Sequence, residues 1–392
     1  MVPKFTGSLT NSVISFLRPY SNKLSNKLWG VVHMPAKGKK RGDVLISYIT
    51  DPFTKAPWQG LSNRHTNYWE CYEMARLFAE RGYDVDIINW DDRTFIPKKS
   101  YRVCVDNQNN LEHLAKFLPE SCKKVMHITT SEQGFQNSAE LKRLEALKER
   151  RGVALQPHRQ LPPTKDPEIA DYLEGFGNRT VHATYARFNK PVFPVPISAV
   201  KLFDFPEHKD FETARKNFLW FGGGGAVLKG LDLVLEAFSK NSDLTLHVCG
   251  PVAAEKDFAF AYRKELYETP NIHYHGRVDV ASDLFAELAD TCGALIYPAF
   301  SEGTSGAVVQ AMHAGVVPIL TRETGISEDA ACIVMENPTI DLVGDATRSF
   351  ATLPAETIRD KARAVCSYAR GHYTRELFSS DYAAFIDTVL KL

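Results

Sequence analysis

From residue 43 onward, short apolar runs recur along the chain. Each is followed by a polar or glycine-containing turn and then by a stretch whose apolar residues fall three and four apart. Runs of that length, rich in β-branched and aromatic residues, predict buried strands, and the three-and-four spacing predicts amphipathic helices. Strands are predicted at 44–50, 84–90, 101–105, 124–129, 153–156, 217–221, 244–249, 272–274, 294–298, 316–320 and 332–335. Helices are predicted at 67–81, 111–118, 138–151, 229–239, 258–268, 282–290, 307–314, 358–368 and 375–392. A helical turn is expected at 169–173 and a proline-spaced extended segment at 191–197. Strands that alternate with helices imply parallel sheets covered on both faces. The alternation halts near 198–206 and restarts. The expected organisation is therefore two α/β domains in series, 43–200 and 206–370, with the C-terminal helix 375–392 returning to the first. Residues 1–42 have a sparse pattern that Pro19 interrupts, and they are expected outside both domains.

Charge changes this picture at one end. The chain carries 47 basic and 47 acidic residues, but residues 1–42 hold eight of the basic ones and no acid. That segment is +8, and the remaining 39 basic against 47 acidic residues leave the body at −8. A neutral-to-acidic body excludes a general nucleic-acid binder. The basic segment admits two readings. It is either a solvated extension or a peripheral anchor that lays Phe16, Leu17, Leu28 and Trp29 on anionic lipid. The seven cysteines are scattered with no C-x-x-C pair, which points to reduced thiols in a cytoplasmic protein. No apolar run approaches the ~20 residues of a membrane span. The N-terminus lacks the apolar core of a signal peptide.

The candidate chemistry lies in two glycine-containing turns. Ser301-Glu302-Gly303-Thr304-Ser305-Gly306 joins the run at 294–298 to the short helix at 307–314. Thr304 or Ser305 is placed to cap that helix and Gly315 to stop it. A glycine turn at a helix N-terminus aims N–H groups and the helix dipole at an anion. Glu302 would repel a phosphate but suits sugar hydroxyls, so the turn reads as built for a nucleotide sugar. The second turn, Gly222 to Gly225 followed by Lys229, also leaves a strand and opens a helix. Its amides and the lysine charge suit a diphosphate. No Ser or Thr follows Lys229, so it is not a magnesium-binding P-loop, and the acidic residue of a dinucleotide fingerprint is missing. Asp84-Val-Asp86 falls inside a predicted strand and reads as structural, and no metal site is assigned.

These residues carry a family resemblance. The strand, loop and helix at 218–238, the Pro270-Asn-Ile-His-Tyr-His-Gly276-Arg-Val stretch and Ser301-Glu302-Gly303…Gln310-Ala-Met-His-Ala-Gly315 resemble the donor domain of family 4 retaining glycosyltransferases. The resemblance is specific over 217–326, moderate over 44–197 and absent over 1–42. It implies the GT-B fold: two Rossmann-like domains facing each other across a cleft, the first on the acceptor side and the second binding the donor. It implies that Gly223, Gly224 and Lys229 hold the donor diphosphate, and that Glu302 holds hydroxyls of the transferred sugar. The amides of Thr304, Ser305 and Gly306 would meet the phosphates, Gly303 is a further donor-binding position, and Arg277 and Val278 would lie beside the base. His127 is either a donor-sugar contact or a satisfied core histidine, and His65 is a candidate for the acceptor. Glu302, Lys229 and His127 are the catalytic candidates.

Two positions depart from the family pattern. Gly224 stands where an arginine is usual, and Gln310 replaces the second glutamate, which binds ribose. The implied reaction is metal-independent transfer, with retention, from a nucleotide-diphosphate sugar to a saccharide or lipid-linked saccharide. The sugar nucleotide is a co-substrate, and no cofactor is expected. The expected place is the cytoplasm, at the inner membrane face if residues 1–42 bind lipid. Two other classes remain open: a nucleotide-sugar epimerase on the same fold, and a catalytically silent saccharide-binding scaffold.

Overall fold

A computed structural model describes residues 30–54, 61, 65–107 and 110–391. The proposed lipid-facing residues of the N-terminal segment, Phe16, Leu17, Leu28 and Trp29, lie outside them. By contacts the chain divides into two compact units. The first comprises Met1–His127, Thr164–Leu173 and Tyr382–Leu392, and the second Ile128–Pro163 and Glu174–Asp381.

The first sheet contains β1 (Val31–Met34), β2 (Gly42–Tyr48), β3 (Tyr83–Asn89), β4 (Tyr101–Asp106), β5 (Lys123–Ile128), β6 (Tyr172–Gly175) and β7 (Val192–Pro194), in the order β1-β3-β2-β4-β5-β6-β7. Val44, Leu45 and Ile46 at its centre are fully buried, which is why this stretch reads as a continuous apolar run. Helix α1 (Asn67–Glu80) packs on β3, and Arg81 just beyond it pairs with Asp387 at 2.6 Å. Strand β1 corrects the expectation that residues 1–42 lie wholly outside the fold. Val31–Met34 pairs antiparallel with β3, buries Val32, and places His33 Nδ1 2.9 Å from Asp86. The Asp84-Val-Asp86 pair is structural: Asp86 also accepts from Tyr101 and Lys99, and Asp84 from the Ala36 N–H.

The second sheet is parallel throughout. It contains β8 (Asn217–Phe221), β9 (Thr245–Cys249), β10 (Ile272–Gly276), β11 (Ala294–Tyr297), β12 (Val317–Leu320) and β13 (Ile333–Val334), ordered β10-β9-β8-β11-β12-β13. Helix α2 (Gln133–Arg151) belongs to this unit. Its Arg143 and Arg150 reach the fully buried Asp232 at 2.6 and 2.8 Å, and Arg151 reaches Glu265 at 2.8 Å. The pairs to Asp232 fasten α2 to helix α3 (Leu231–Lys240), in the same unit.

Several elements differ from the pattern-based expectation. Residues 153–156 are not a strand. The segment 169–173 ends a short helix and enters β6, drawn in by the reciprocal bonds of Asp171 with Lys124. Helix α2 starts at Gln133, because the Glu132 carboxylate caps it by accepting from the Phe135 N–H. A helix at Ile340–Ala351 was not expected. Thr339 caps it, and Phe350 packs edge-on against Phe218. All seven cysteines are unpaired.

Candidate functional site

The residues of the second unit that converge do so at the carboxyl ends of β8 and β11, adjacent parallel strands. After β8 the chain turns through Gly222–Gly225 and a tight coil to Lys229. Lys229 N–H donates to the Gly225 carbonyl at 2.9 Å, and Phe300 N–H donates to the Leu228 carbonyl at 2.9 Å. Gly230, at φ +71°, sits so close to β11 that a Cβ there would lie 2.4 Å from the Pro298 carbonyl oxygen. This contact, which only glycine permits, brings Lys229 against the turn after β11.

That turn is fixed on two sides. Ser305 N–H donates to the Thr324 carbonyl at 3.0 Å, Thr304 hydroxyl to the Gly325 carbonyl at 3.3 Å, and Ser131 hydroxyl to the Glu302 carbonyl at 2.9 Å. Helix α4 (Gly306–His313) begins immediately after, with Ser305 at its N-cap position. Ser305 does not cap with its side chain, contrary to expectation. The first-turn N–H groups of α4 have no partner within the helix.

Glu302 is the centre of the arrangement. Its Oε1 accepts from Lys229 Nζ at 2.7 Å and from the Tyr297 hydroxyl at 2.9 Å. Both partners use the same oxygen. Burial pushes the Glu302 carboxyl up, but Lys229 and then Arg159 outweigh it and hold the carboxyl below its ordinary range. Burial and the adjacent Glu302 push the Tyr297 phenol well up, so it stays a donor. The result is a buried carboxylate clamped by one cation and one hydroxyl beside a helix N-terminus.

The glycine turn differs from its expected form. Glu255, 6% exposed, inserts its carboxylate beneath the loop. Its Oε1 accepts from Gly225 N–H at 2.5 Å, and its Oε2 from Ala226 N–H at 3.1 Å. Two amides that a phosphate cradle would use are thus engaged by a carboxylate of the chain itself. Gly223 lies beside Lys229, and Gly224 beside Glu255: ideal Cβ positions there fall 3.9 Å from Lys229 Nζ and 3.5 Å from Glu255 Oε1.

Residues 215–351, all within the second unit, match the family of glycosyl transferases group 1. This stretch is similar to group 1 glycosyltransferases. No match was found among curated protein sequences. Among solved structures, sucrose-phosphate synthase from Thermosynechococcus elongatus matches with a TM-score of 0.62 at 11% identity, over 90% of this chain and 100% of that one. HepE from Anabaena, in complex with UDP and glucose, matches at 0.56 and 8% identity over 90% and 100%. WaaG, a glycosyltransferase involved in lipopolysaccharide biosynthesis, matches at 0.52 and 15% identity over 88% and 99%. The chain spans about half the length of two further structures that it matches, 55% and 54%. The fold is GT-B.

Within the matched stretch, Gln310 is engaged elsewhere. It is 2% exposed; its Oε1 accepts from Val200 N–H at 2.6 Å and Lys201 N–H at 3.0 Å, and its Nε2 donates to the Lys201 carbonyl at 2.8 Å. These bonds make the side chain a clip for residues 200–201. His313 is buried, with Nε2 2.9 Å from the Tyr373 carbonyl. Exposed Arg277 and buried Val278 follow β10, two strands from β8, about 10 Å across the sheet from the Lys229 turn.

The first unit holds the remaining candidates. His127 near the end of β5 is fully buried, with its ring 5.4 Å from that of Tyr48. His65 is exposed, and its Nδ1 accepts from the Asn67 N–H at 3.2 Å at the start of α1. Three residues of the second-unit cluster, Tyr297, Glu255 and Arg159, escaped the sequence reading. Only Tyr297 had a local signal, as the last residue of a buried strand before the glutamate. Among the described residues, no group of three metal-ligating side chains is placed to hold an ion, and no helix is long and apolar enough to cross a membrane.

Proposed function

We propose that the protein is a retaining glycosyltransferase that moves a sugar from a nucleotide-diphosphate donor to a saccharide or lipid-linked saccharide. The observation that carries this reading is the Glu302 carboxylate. One oxygen is held by Lys229 and Tyr297, and the other is left for a sugar hydroxyl beside the N-terminus of α4. UDP and glucose together in the HepE complex support a nucleotide-sugar donor, and the role of WaaG in lipopolysaccharide biosynthesis supports a saccharide acceptor in cell-surface polymer synthesis.

In the proposed reaction Glu302 orients the sugar. Lys229 and the first-turn amides of α4 stabilise the charge that develops on the diphosphate as the anomeric C–O bond breaks. The acceptor oxygen bonds to the anomeric carbon on the face the diphosphate leaves, and its proton passes to the departing diphosphate oxygen. No protein nucleophile or metal is assigned a step. His127 and His65 are assigned to the donor sugar and the acceptor, and the basic segment before β1, with Phe16, Leu17, Leu28 and Trp29, to an anionic membrane surface on the cytoplasmic side.

The test is turnover of UDP-, GDP-, ADP- and TDP-sugars by the full chain with a panel of saccharide acceptors, reading nucleoside diphosphate released and the anomeric configuration of the product by NMR. Acceptor-dependent release with retained configuration is expected, and it should vanish in Glu302→Ala. Product from donor alone selects an epimerase. Nucleotide binding without turnover of any donor selects a silent binding protein, a reading that the Glu255 carboxylate on the loop amides favours.

A further inference from the structure

Three positive features surround the glycine turn: its amides, Lys229 and Arg159. The amides of Gly225 and Ala226 are taken by Glu255, and Lys229 is paired with Glu302. Arg159 is different. Its stem lies on Gly225, where a Cβ would fall 2.4 Å from Arg159 Cγ and 3.0 Å from Cδ. Gly225 has φ +93° and no side chain, and that is what admits the arginine.

The backbone around Arg159 is tied down. Buried Glu140 on α2 accepts from the N–H groups of His158 and Arg159, both at 2.8 Å, and from the Gln160 amide at 2.7 Å. Gln136 donates to the Arg159 carbonyl at 2.7 Å. The guanidinium itself is not engaged: Nε is buried without a hydrogen-bond partner, and no ion pair links it to Glu140, Glu255 or Glu302 among the described residues. Its charge nevertheless reaches Glu302 and Tyr297. A guanidinium held in place by its backbone, with its donors unused, fits a planar or tetrahedral oxyanion.

We infer that Arg159 binds the diphosphate of the donor, supplying from a distant segment the arginine that the glycine turn lacks at Gly224. This rests on the donor reading above and adds a phosphate-binding residue to it. It also explains how Glu255 can occupy two loop amides in a donor site: the anion is met by side-chain cations on the other side of Gly225.

The test is calorimetric titration of the full chain with inorganic pyrophosphate and with UDP, GDP and ADP, for wild type, Arg159→Gln, Arg159→Lys and Lys229→Ala. Arg159→Gln should weaken pyrophosphate and the preferred nucleoside diphosphate about 10- to 100-fold, the range of a charge-assisted hydrogen bond. Arg159→Lys, which keeps the charge but not the fork, should fall between. Neither variant touches the backbone bonds to Glu140, so both should keep the wild-type fold by circular dichroism, and Arg159→Lys, which keeps the charge that helps hold Glu302 ionised, should keep the unliganded melting temperature. A reading on the unaltered chain is phenylglyoxal modification followed by mass spectrometry, in which pyrophosphate should protect Arg159. Wild-type affinity in Arg159→Gln, or modification of Arg159 undiminished by pyrophosphate, overturns the inference while leaving the donor site standing if Lys229→Ala still loses binding. No binding of any nucleoside diphosphate by wild type overturns both.

Discussion

Replacing Lys229 by methionine keeps the stem and removes the charge facing Glu302. The carboxylate then retains the Tyr297 hydroxyl and the more distant field of Arg159 but loses its 2.7 Å partner. Removing one member of a buried pair costs about 3–5 kcal/mol. Here the two side chains are 10% and 12% exposed and two helpers remain, so about 2–3 kcal/mol is expected near neutral pH. That corresponds to roughly 5–10 °C in melting temperature for a unit of this size.

The sign of the pH dependence is the sharper part of the prediction. In wild type the depressed carboxyl adds stability above its unfolded pKa, and that stability is lost as pH falls through the folded value. In Lys229→Met the raising effect of burial prevails. The carboxyl moves above its ordinary value, and stability is then full below the unfolded pKa and lost as pH rises through the folded one. The gap between the two proteins should therefore be small near pH 4 and widen toward pH 8. Adding Glu302→Gln to Lys229→Met should recover most of the loss at the upper end. Thermal unfolding followed by near-UV circular dichroism across that range, on wild type, both single variants and the double, reads all of this. A pH-independent gap, or a double variant less stable than Lys229→Met, refutes the reasoning.

Three further outcomes are expected. Gln310→Glu cannot donate to the Lys201 carbonyl and sets a carboxylate against it, so denaturant titration should show a loss of about 1–3 kcal/mol. Tighter nucleotide binding without that loss would return Gln310 to a ribose. Burial, with repulsion from His275 and His273, holds His247 down at about 4 against an ordinary 6.5. Its contribution is full above 6.5 and is lost as pH falls toward 4, about 1–2 kcal/mol after allowance for partial exposure, and His247→Phe should flatten that decline in the denaturant midpoint. Gly303→Ala would put a Cβ 2.3 Å from the Thr129 carbonyl oxygen, so the turn must shift; a loss of about 2 kcal/mol or more and of donor turnover is expected, and wild-type values for both would show that the turn is not held there.

What was legible in the sequence follows from where each residue finds its partners. Strands β8, β11 and β12 are buried on both faces, so they read as unbroken apolar runs flanked by glycine. The turns carrying Lys229 and Glu302 were visible for the same reason, since glycine and charge stand out at the ends of such runs. Strand β1 was hidden because its four residues sit in a basic stretch and gain order only by pairing with β3. Strand β6 was hidden because Tyr-Leu-Glu-Gly has no apolar run of its own, and its Gly175 at φ +136° packs where a Cβ would lie 2.3 Å from the Ile128 carbonyl. Glu255 and Arg159 both answer to Gly225, 30 and 66 positions away in the chain, and no local pattern marks either contact. Gln310 illustrates the converse. A motif position was recognised, but its amide had been taken up by a backbone segment about 110 residues earlier.

On the proposed reading the Lys229–Glu302 corner receives the diphosphate and sugar of a nucleotide sugar. It is tested most directly by thermal shift of the full chain with UDP, GDP, ADP, CMP and TDP and their sugars, on wild type and Lys229→Ala. One nucleotide class should stabilise wild type by about 2.7 kcal/mol at a hundredfold excess over its dissociation constant, and the shift should disappear in Lys229→Ala. No shift with any of them, or a shift that Lys229→Ala retains in full, would contradict the account.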